Sequence, residues 1–259
     1  MSSHQNKPLD GRPLSGKVAL VTGSARRIGR ESALLLASEG AHVVVHTKSS
    51  KDEIEAVAEE IRANGGSAST ALADITVEAD AQRLVDGIVA AHGRLDILVN
   101  NAAVRGDTPF AEISLATWRE INAVIVEGAF LVTRAAIPSM VRHGFGRIVS
   151  IGGVSAHAGV FHRVHVATAK AALVGFTKAL AVEFGEHGIT ANLVVPGRIG
   201  GNRSATSGSG GAFPGGGHLL VGHEGEPRNV AEFVRILALP AGNFTSGQTL
   251  HVNGGMYLP

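Results

Sequence analysis

Seven short runs rich in β-branched and other apolar residues, each separated from the next by a stretch with helical spacing, constrain this chain more than any other feature. The runs are KVALVT (17–22), HVVVH (42–46), SASTALA (67–73), LDILVN (95–100), RIVSI (147–151), ITANLVV (189–195) and QTLHVN (248–253). Several are apolar without alternation, the pattern of strands covered on both faces. Helical periodicity fills the intervals near 28–39, 51–63, 78–92, 114–142, 164–185 and 227–238. A β-α rhythm held from one end to the other predicts an α/β fold with a parallel, doubly wound sheet. No compositional break divides it, so residues 15–259 read as one domain behind a loose polar tail, 1–14.

Composition narrows the partners. Apolar residues make up 44% of the 259 positions and charged residues 17%, the balance of a globular chain. A net charge of +1 with both signs interspersed argues against nucleic acid or an anionic membrane surface as the main partner. The chain has no cysteine, which excludes disulfides and thiolate chemistry. The start, MSSHQNKPLDGRPL, lacks the apolar centre of a signal peptide, and no run approaches the ~20 apolar residues of a membrane span. A cytoplasmic protein acting on a small molecule is the expectation.

One segment leaves the rhythm. GGNRSATSGSGGAFPGGGHLLVGHEG, from Gly200 to about residue 226, is rich in glycine and serine with few large apolar side chains. A loop this long in a compact domain reads as a mobile lid or binding loop, because ligands of doubly wound sheets sit beyond the carboxyl ends of the strands. A disordered insertion without a role is the alternative.

After the first run comes TGSARRIGR, residues 22–30. Gly23 permits a tight turn and Gly29 permits close approach of backbone to a phosphate, while Arg27 occupies a place where a third glycine is common. The end of the second run, where an acid holds the ribose of NAD, carries Thr47, then Lys48 and Ser49. An uncharged residue there, with Arg26, Arg27 and Lys48 nearby, suits the 2′-phosphate of NADP(H). Asp74 after the third run suits the adenine amino group or the cap of the next helix.

TGSARRIG, Asp74, NNAA (100–103), Asn122, Lys170, PGRI (196–199) and the HVNGG ending together resemble the short-chain dehydrogenase/reductase family, over residues 16 to 255. The resemblance implies a Rossmann-type sheet of seven parallel strands and a homotetramer or homodimer built on the fourth and fifth helices. It implies an NADP(H) site formed by Gly23, Ser24, Arg26, Arg27, Ile28, Gly29, Thr47, Lys48, Ser49, Asp74, Ile75, Asn101, Ala102, Lys170, Pro196, Gly197 and Ile199. Asn101 should contact adenosine and Lys170 the nicotinamide ribose. Asn122 should hold a helix bulge and a water on a proton path.

The pattern breaks on the chemical side. The family's tyrosine, four residues before the lysine, is Val166 here; its serine, thirteen residues earlier, is Gly153; a threonine that often binds the carboxamide is Gly201. The single tyrosine is Tyr257. Loss of a positioned acid removes ~10²–10⁴ in rate from ketone reduction, and the missing serine removes a donor to the same oxygen. Three readings follow. The substrate is an iminium, which needs no acid. Or another group gives the proton: Ser155, or one of His157, His162 and His165, with His162 one turn before Val166 if the helix already runs there. Or the chain is a catalytically inactive NADP(H)-binding protein, a sensor or partner subunit. No acidic or cysteine ligand accompanies the histidines, so no metal site is expected. Arg163 and Arg198 stand as surface charges or as contacts to an anionic ligand.

Overall fold

The computed structural model describes residues 11–201 and 212–259. In chain order its elements are β1 (Val18–Val21), α1 (Arg27–Ser38), β2 (His42–Thr47), α2 (Lys51–Ala63), β3 (Ser67–Leu72), α3 (Glu78–His92), β4 (Ile97–Asn100), α4 (Leu115–Asn122), α5 (Gly128–His143), β5 (Gly146–Ile151), α6 (Ser155–Ala158), α7 (Val164–Phe184), β6 (Ile189–Pro196), α8 (Pro227–Ala238) and β7 (Thr249–Val252). The strands form one seven-stranded sheet in the order β3-β2-β1-β4-β5-β6-β7, with every pairing parallel. All seven apolar runs therefore became strands.

Alternation within each strand feeds two cores. From β1, Ala19 and Val21 join Leu36 of α1, Ile54 and Ile61 of α2 and Val234 of α8 on one face. Val18 and Leu20 point the other way, toward Leu84 and Val85 of α3 and Val132 and Met140 of α5. Burial on both faces explains why these strands read as unbroken apolar runs. Local chemistry sets several ends: the Ser114 hydroxyl accepts from Thr117 N at 3.0 Å to cap α4, and α3 stops at Gly93, whose φ of +76° ends the helix in a left-handed turn.

The winding reverses between β1 and β4, and this opens a crevice at their carboxyl ends. Two sequence expectations change here. The single helix expected over 114–142 is two helices joined by a π-helical turn, Ala123–Glu127; apolar spacing carries no signal for one extra residue in a turn, and only the family resemblance put a bulge at Asn122. Taken together Leu115–His143 is long and apolar enough to cross a membrane by length and composition only: an 18-residue window within it has mean hydropathy 1.6, and half of that window is buried inside the protein. The tail is also shorter than its polarity suggests. Leu14 is 1% exposed and its N–H donates to Glu39 O at 2.8 Å, so the fold begins before residue 15.

Candidate active site

The turn after β1 is shaped by what cannot fit in it. A Cβ on Gly29 would lie 2.5 Å from Asn101 Nδ2 and 2.5 Å from Gly23 O. Gly23, at φ +63°, faces Ala102 Cα at 2.9 Å from the same construction. Only glycine brings backbone this close. Asn101 fixes the turn by donating to Thr22 O at 2.9 Å and Gly23 O at 2.8 Å. Ser24 is wholly buried, donating to Val21 O at 2.7 Å and accepting from His46 N at 2.8 Å. It supports the turn from behind and does not face the crevice.

Arg27 adopts φ +51°, a conformation that favours glycine. Its guanidinium donates to Ile199 O at 3.0 Å and Gly201 O at 3.1 Å, which ties the turn to the segment after β6. That segment is itself tightly defined. A Cβ on Gly197 would stand 2.6 Å from Asn253 Cα, and Gly201 has φ +90°, so a threonine there would demand a different backbone. The Pro196 carbonyl accepts from Val154 N at 3.0 Å, and Gly200 N donates to Gly225 O at 2.7 Å. Residues 202–211, the centre of the expected lid, lie outside the described residues.

Beside the turn after β1 lies a cavity of about 570 Å³, lined from Gly23 and Ile28 past Thr47, Lys48, Asp74 and Ile75 to Asn101–Arg105; the segment after β6 does not line it. Its basic side chains have partners. Arg26 makes a forked ion pair with Glu53, its Nε lying 2.6 Å from the carboxylate. Lys48 Nζ lies 2.7 Å from Asp74 Oδ2. Asp74 also accepts from Thr76 Oγ1 at 2.7 Å and Thr76 N at 3.1 Å, so it shapes its own turn and does not cap α3, whose N-cap is Val77. The Lys48 ammonium first, and then the Thr76 hydroxyl, push the Asp74 carboxyl down to about 2. His46, which sequence reading took only for a strand residue, lines the same cavity. It accepts from Gly23 N at 3.4 Å and contacts Ala73 O at 3.1 Å through Nε2, while burial lowers its pKa to about 4. Neutral imidazole protonated on Nε2 satisfies both contacts.

At the other end Lys170 comes from α7 beneath the end of β5. It is 6% exposed, and its Nζ donates to Ile151 O at 2.5 Å. Burial, with the charge of Arg105 second, lowers its pKa to about 7. Val166, one turn earlier, is 5% exposed in an apolar cluster with Ile121, Val154 and Leu193. A Cβ on Gly153 would stand 3.5 Å from Ser155 Oγ and 3.9 Å from Lys170 Cγ. Asn122 ends α4 where the π-helical turn begins, its amide donating to Trp118 O at 2.8 Å.

The candidate histidines separate. His162 lies outside α7, at φ +61°, with Nδ1 3.7 Å from Asp107 Oδ1. It therefore does not share a helical face with Val166, because the backbone turns left-handed before the helix starts. His165 is fully buried against Gly106. His157 packs on His251 and Tyr257, with ring centroids 4.6 and 5.7 Å away. Tyr257 is thus held within its own chain and packs against the cluster that contains Val166. Arg163 is 7% exposed and not a surface charge.

A seven-stranded parallel sheet with a glycine-lined turn at its switch point defines a Rossmann-type α/β protein. The family model for short chain dehydrogenases matches residues 17–209. The chain is 37% identical over 245 residues to a 3-oxoacyl-[acyl-carrier-protein] reductase of Aquifex aeolicus, covering 94% of this chain and 98% of that one. It is 35% identical to the protein of the same name from Synechocystis, covering 95% and 98%. Among solved structures, a blue fluorescent protein from a metagenomic library, in complex with NADPH, superposes with TM-score 0.85 at 33% identity over 95% of this chain and all of that one. A gluconate 5-dehydrogenase from Beutenbergia cavernae, described as putative and NAD(P) dependent, gives TM-score 0.85 at 32% identity, over 94% of this chain and 97% of that one. The chain belongs to the short-chain dehydrogenase family.

Proposed function

We propose that this protein is an NADP(H)-dependent oxidoreductase that transfers hydride to a C=N or C=O carbon of a small molecule, at a site without the usual tyrosine and serine. The cavity fits the cofactor. Gly23 and Gly29 leave backbone bare at the start of α1, where a pyrophosphate is stabilised by free N–H groups and the helix dipole. Thr47 places no negative charge at the end of β2, and Arg26 and Lys48 lie at the same mouth. Their partners, Glu53 and Asp74, hold them in place for a 2′-phosphate. NADP(H), when bound, supplies or accepts the hydride.

The observation that carries the chemical reading is the pairing of a dry wall at Val166 with a hydroxyl, Ser155, in the space beside Gly153. An iminium carbon that gains hydride becomes a neutral amine, so no acid is required during the transfer, and orientation against an apolar wall suffices. A carbonyl instead develops charge on oxygen, and the Ser155 hydroxyl is the donor best placed to meet it. Lys170, its pKa lowered to about 7 by burial, is the group from which that hydroxyl would be reprotonated. Exposed Leu115 and Phe130 on the α4–α5 run support assembly as a homodimer or homotetramer.

Two measurements test the reading. Fluorescence titration should give NADPH a Kd at least tenfold below that of NADH; equal affinities would remove the phosphate argument. A panel of cyclic iminium and ketone substrates should then show turnover of the iminium members near neutral pH. Tight NADPH binding with no oxidation of NADPH by either class would leave the alternative, a catalytically inactive NADP(H)-binding protein.

A further inference from the structure

His165 is the second residue of α7, wholly buried, and neither of its ring nitrogens has a hydrogen-bond partner among the described residues. Gly106, in the loop after β4, lies directly on it: a Cβ there would stand 2.6 Å from Nε2. The same loop lines the cavity beside the turn after β1 with Ala102, Ala103 and Val104. We propose that His165 is a positioning residue for this loop: its neutral ring is the seat on which Gly106 closes, and a proton on the ring lifts the loop and opens that wall of the cavity. Passage of NADP(H) through the wall rests on the function proposed above; the seat itself does not.

The loop depends on few contacts. Residues 101–109 belong to no helix or strand. At one end Asn101 donates to the carbonyls of residues 22 and 23. At the other, Thr108 N donates to His162 O at 2.8 Å, and Asp107 Oδ1 lies 3.7 Å from His162 Nδ1. Between these anchors Val104 packs on the apolar cluster that holds Val166, and Gly106 rests on His165. An imidazole buried with both nitrogens unbonded has given up water and received no hydrogen bond in return. A leucine or phenylalanine would lose nothing in the same place. The histidine therefore makes the contact conditional on its own state.

The direction follows from what a proton adds. Protonation turns both ring nitrogens into donors and places a charge where no acceptor faces it, so water must enter, and the flush contact at Gly106 has to part first. The charged groups about the ring are Arg163, two residues earlier and 7% exposed, and Asp107, next to Gly106 on the loop. Burial first, and Arg163 second, hold the His165 pKa below its ordinary value, with Asp107 opposing them. A ring bared by a lifted loop returns to about 6.5. The lifted state thus binds the proton more strongly and gains population as pH falls through that value. A charged His162 attracts Asp107 and keeps the Thr108 end in place. The part that moves is 104–106, which includes residues of the cavity wall.

Hydrogen exchange of the backbone amides of 103–109, corrected for intrinsic rates and measured without cofactor, tests the seat. In wild type it should be at least about tenfold faster at pH 5.5 than at pH 7.5, while β4 and α3 keep their rates. His165→Leu cannot titrate and should exchange slowly at both pH values; His165→Phe takes its place if the leucine variant does not fold. Gly106→Ala, whose Cβ meets the ring, should exchange fast at both. His162→Gln should retain the wild-type response to acid. Equal exchange at the two pH values in wild type, or an undiminished acid response without His165, overturns the proposal. Loss of the response in His162→Gln also overturns it, by assigning the effect to the Asp107 contact. Stopped-flow NADPH fluorescence tests access: on acidification, association should speed up at least about fivefold more in wild type than in His165→Leu. An equal gain strikes the link to the cavity. No NADPH binding at either pH removes the cofactor reading instead, and the exchange measurement still decides the seat.

Discussion

The Ser155 hydroxyl lies 3.5 Å from the point where a Cβ on Gly153 would stand. The two positions are therefore in ordinary contact beside Lys170, and a hydroxyl is present there although residue 153 has no side chain. If that hydroxyl stabilises a substrate oxygen, Ser155→Ala should lower kcat for a carbonyl substrate by about a hundredfold with little change in NADPH affinity. Gly153→Ser in that background should recover much of the loss. Its Cβ meets only ordinary contacts, so stability should move by less than about 0.5 kcal/mol. Turnover of an iminium substrate should be unmoved by Ser155→Ala, and a parallel loss for both substrate types would show a structural effect.

Val166→Tyr tests the missing acid. The position is packed among Ile121, Val154 and Leu193, so the larger ring should destabilise the cofactor-free protein by about 1–3 kcal/mol. Combined with Gly153→Ser, the phenol should raise ketone reduction by about 10²-fold or more. Denaturant titration and steady-state ketone reduction read the two effects separately; a folded double variant with no gain would count against the account of the loss.

Gly29→Ala should be far more damaging than its one added methyl suggests. The Cβ would sit 2.5 Å from both Asn101 Nδ2 and Gly23 O. Since neither backbone nor the bonded amide gives way cheaply, a loss of about 2–4 kcal/mol is expected, together with loss of measurable NADPH binding. Thermal unfolding with and without NADPH checks both.

Much of this was readable in advance, for identifiable reasons. Strands buried on both faces leave runs such as ILVN and VALV, and a turn that excludes Cβ atoms leaves glycines at 23 and 29. What escaped depends on partners distant in the chain. Asn101 lines the cavity, and its amide nitrogen also donates to the carbonyls of residues 22 and 23, a role its place in the sequence does not announce. Arg26 and Lys48 carry no mark of their pairing with Glu53 and Asp74. Whether α7 already ran at His162 stayed open, because spacing cannot register a positive φ two residues before a helix.

Lys170 should make NADPH affinity depend on pH. Burial lowers its pKa to about 7, from 10.5 when exposed, so above neutrality the free protein holds it uncharged. Bound phosphates and ribose hydroxyls favour the ammonium, so binding raises the pKa and takes up a proton. Affinity should be highest at and below pH 7 and weaken as pH rises toward the pKa of the complex. Lys170→Met should flatten that profile, measured as Kd between pH 6.5 and 9, and should abolish proton uptake in weakly buffered calorimetry.

His46 should set an acid limit on the fold through the same linkage with the titration window moved down. Its Nδ1 accepts the Gly23 N–H and its Nε2 faces Ala73 O, an arrangement that needs the neutral ring. Burial holds the folded pKa at about 4, whereas the unfolded chain titrates near 6.5. Between these values the unfolded state binds a proton that the folded state refuses. Stability is therefore level above pH 6.5, falls as pH drops toward 4 and levels again below it, with a total of about 3 kcal/mol from this residue. Other groups titrate in the same range, so the readout is the difference between wild type and His46→Gln in urea unfolding at pH 7 and pH 4.5. The variant should be less stable at pH 7, because the contacts of the turn after β1 are disturbed, yet lose about 2–3 kcal/mol less on acidification. Parallel curves for the two proteins would mean that the ring accepts its proton without breaking the turn.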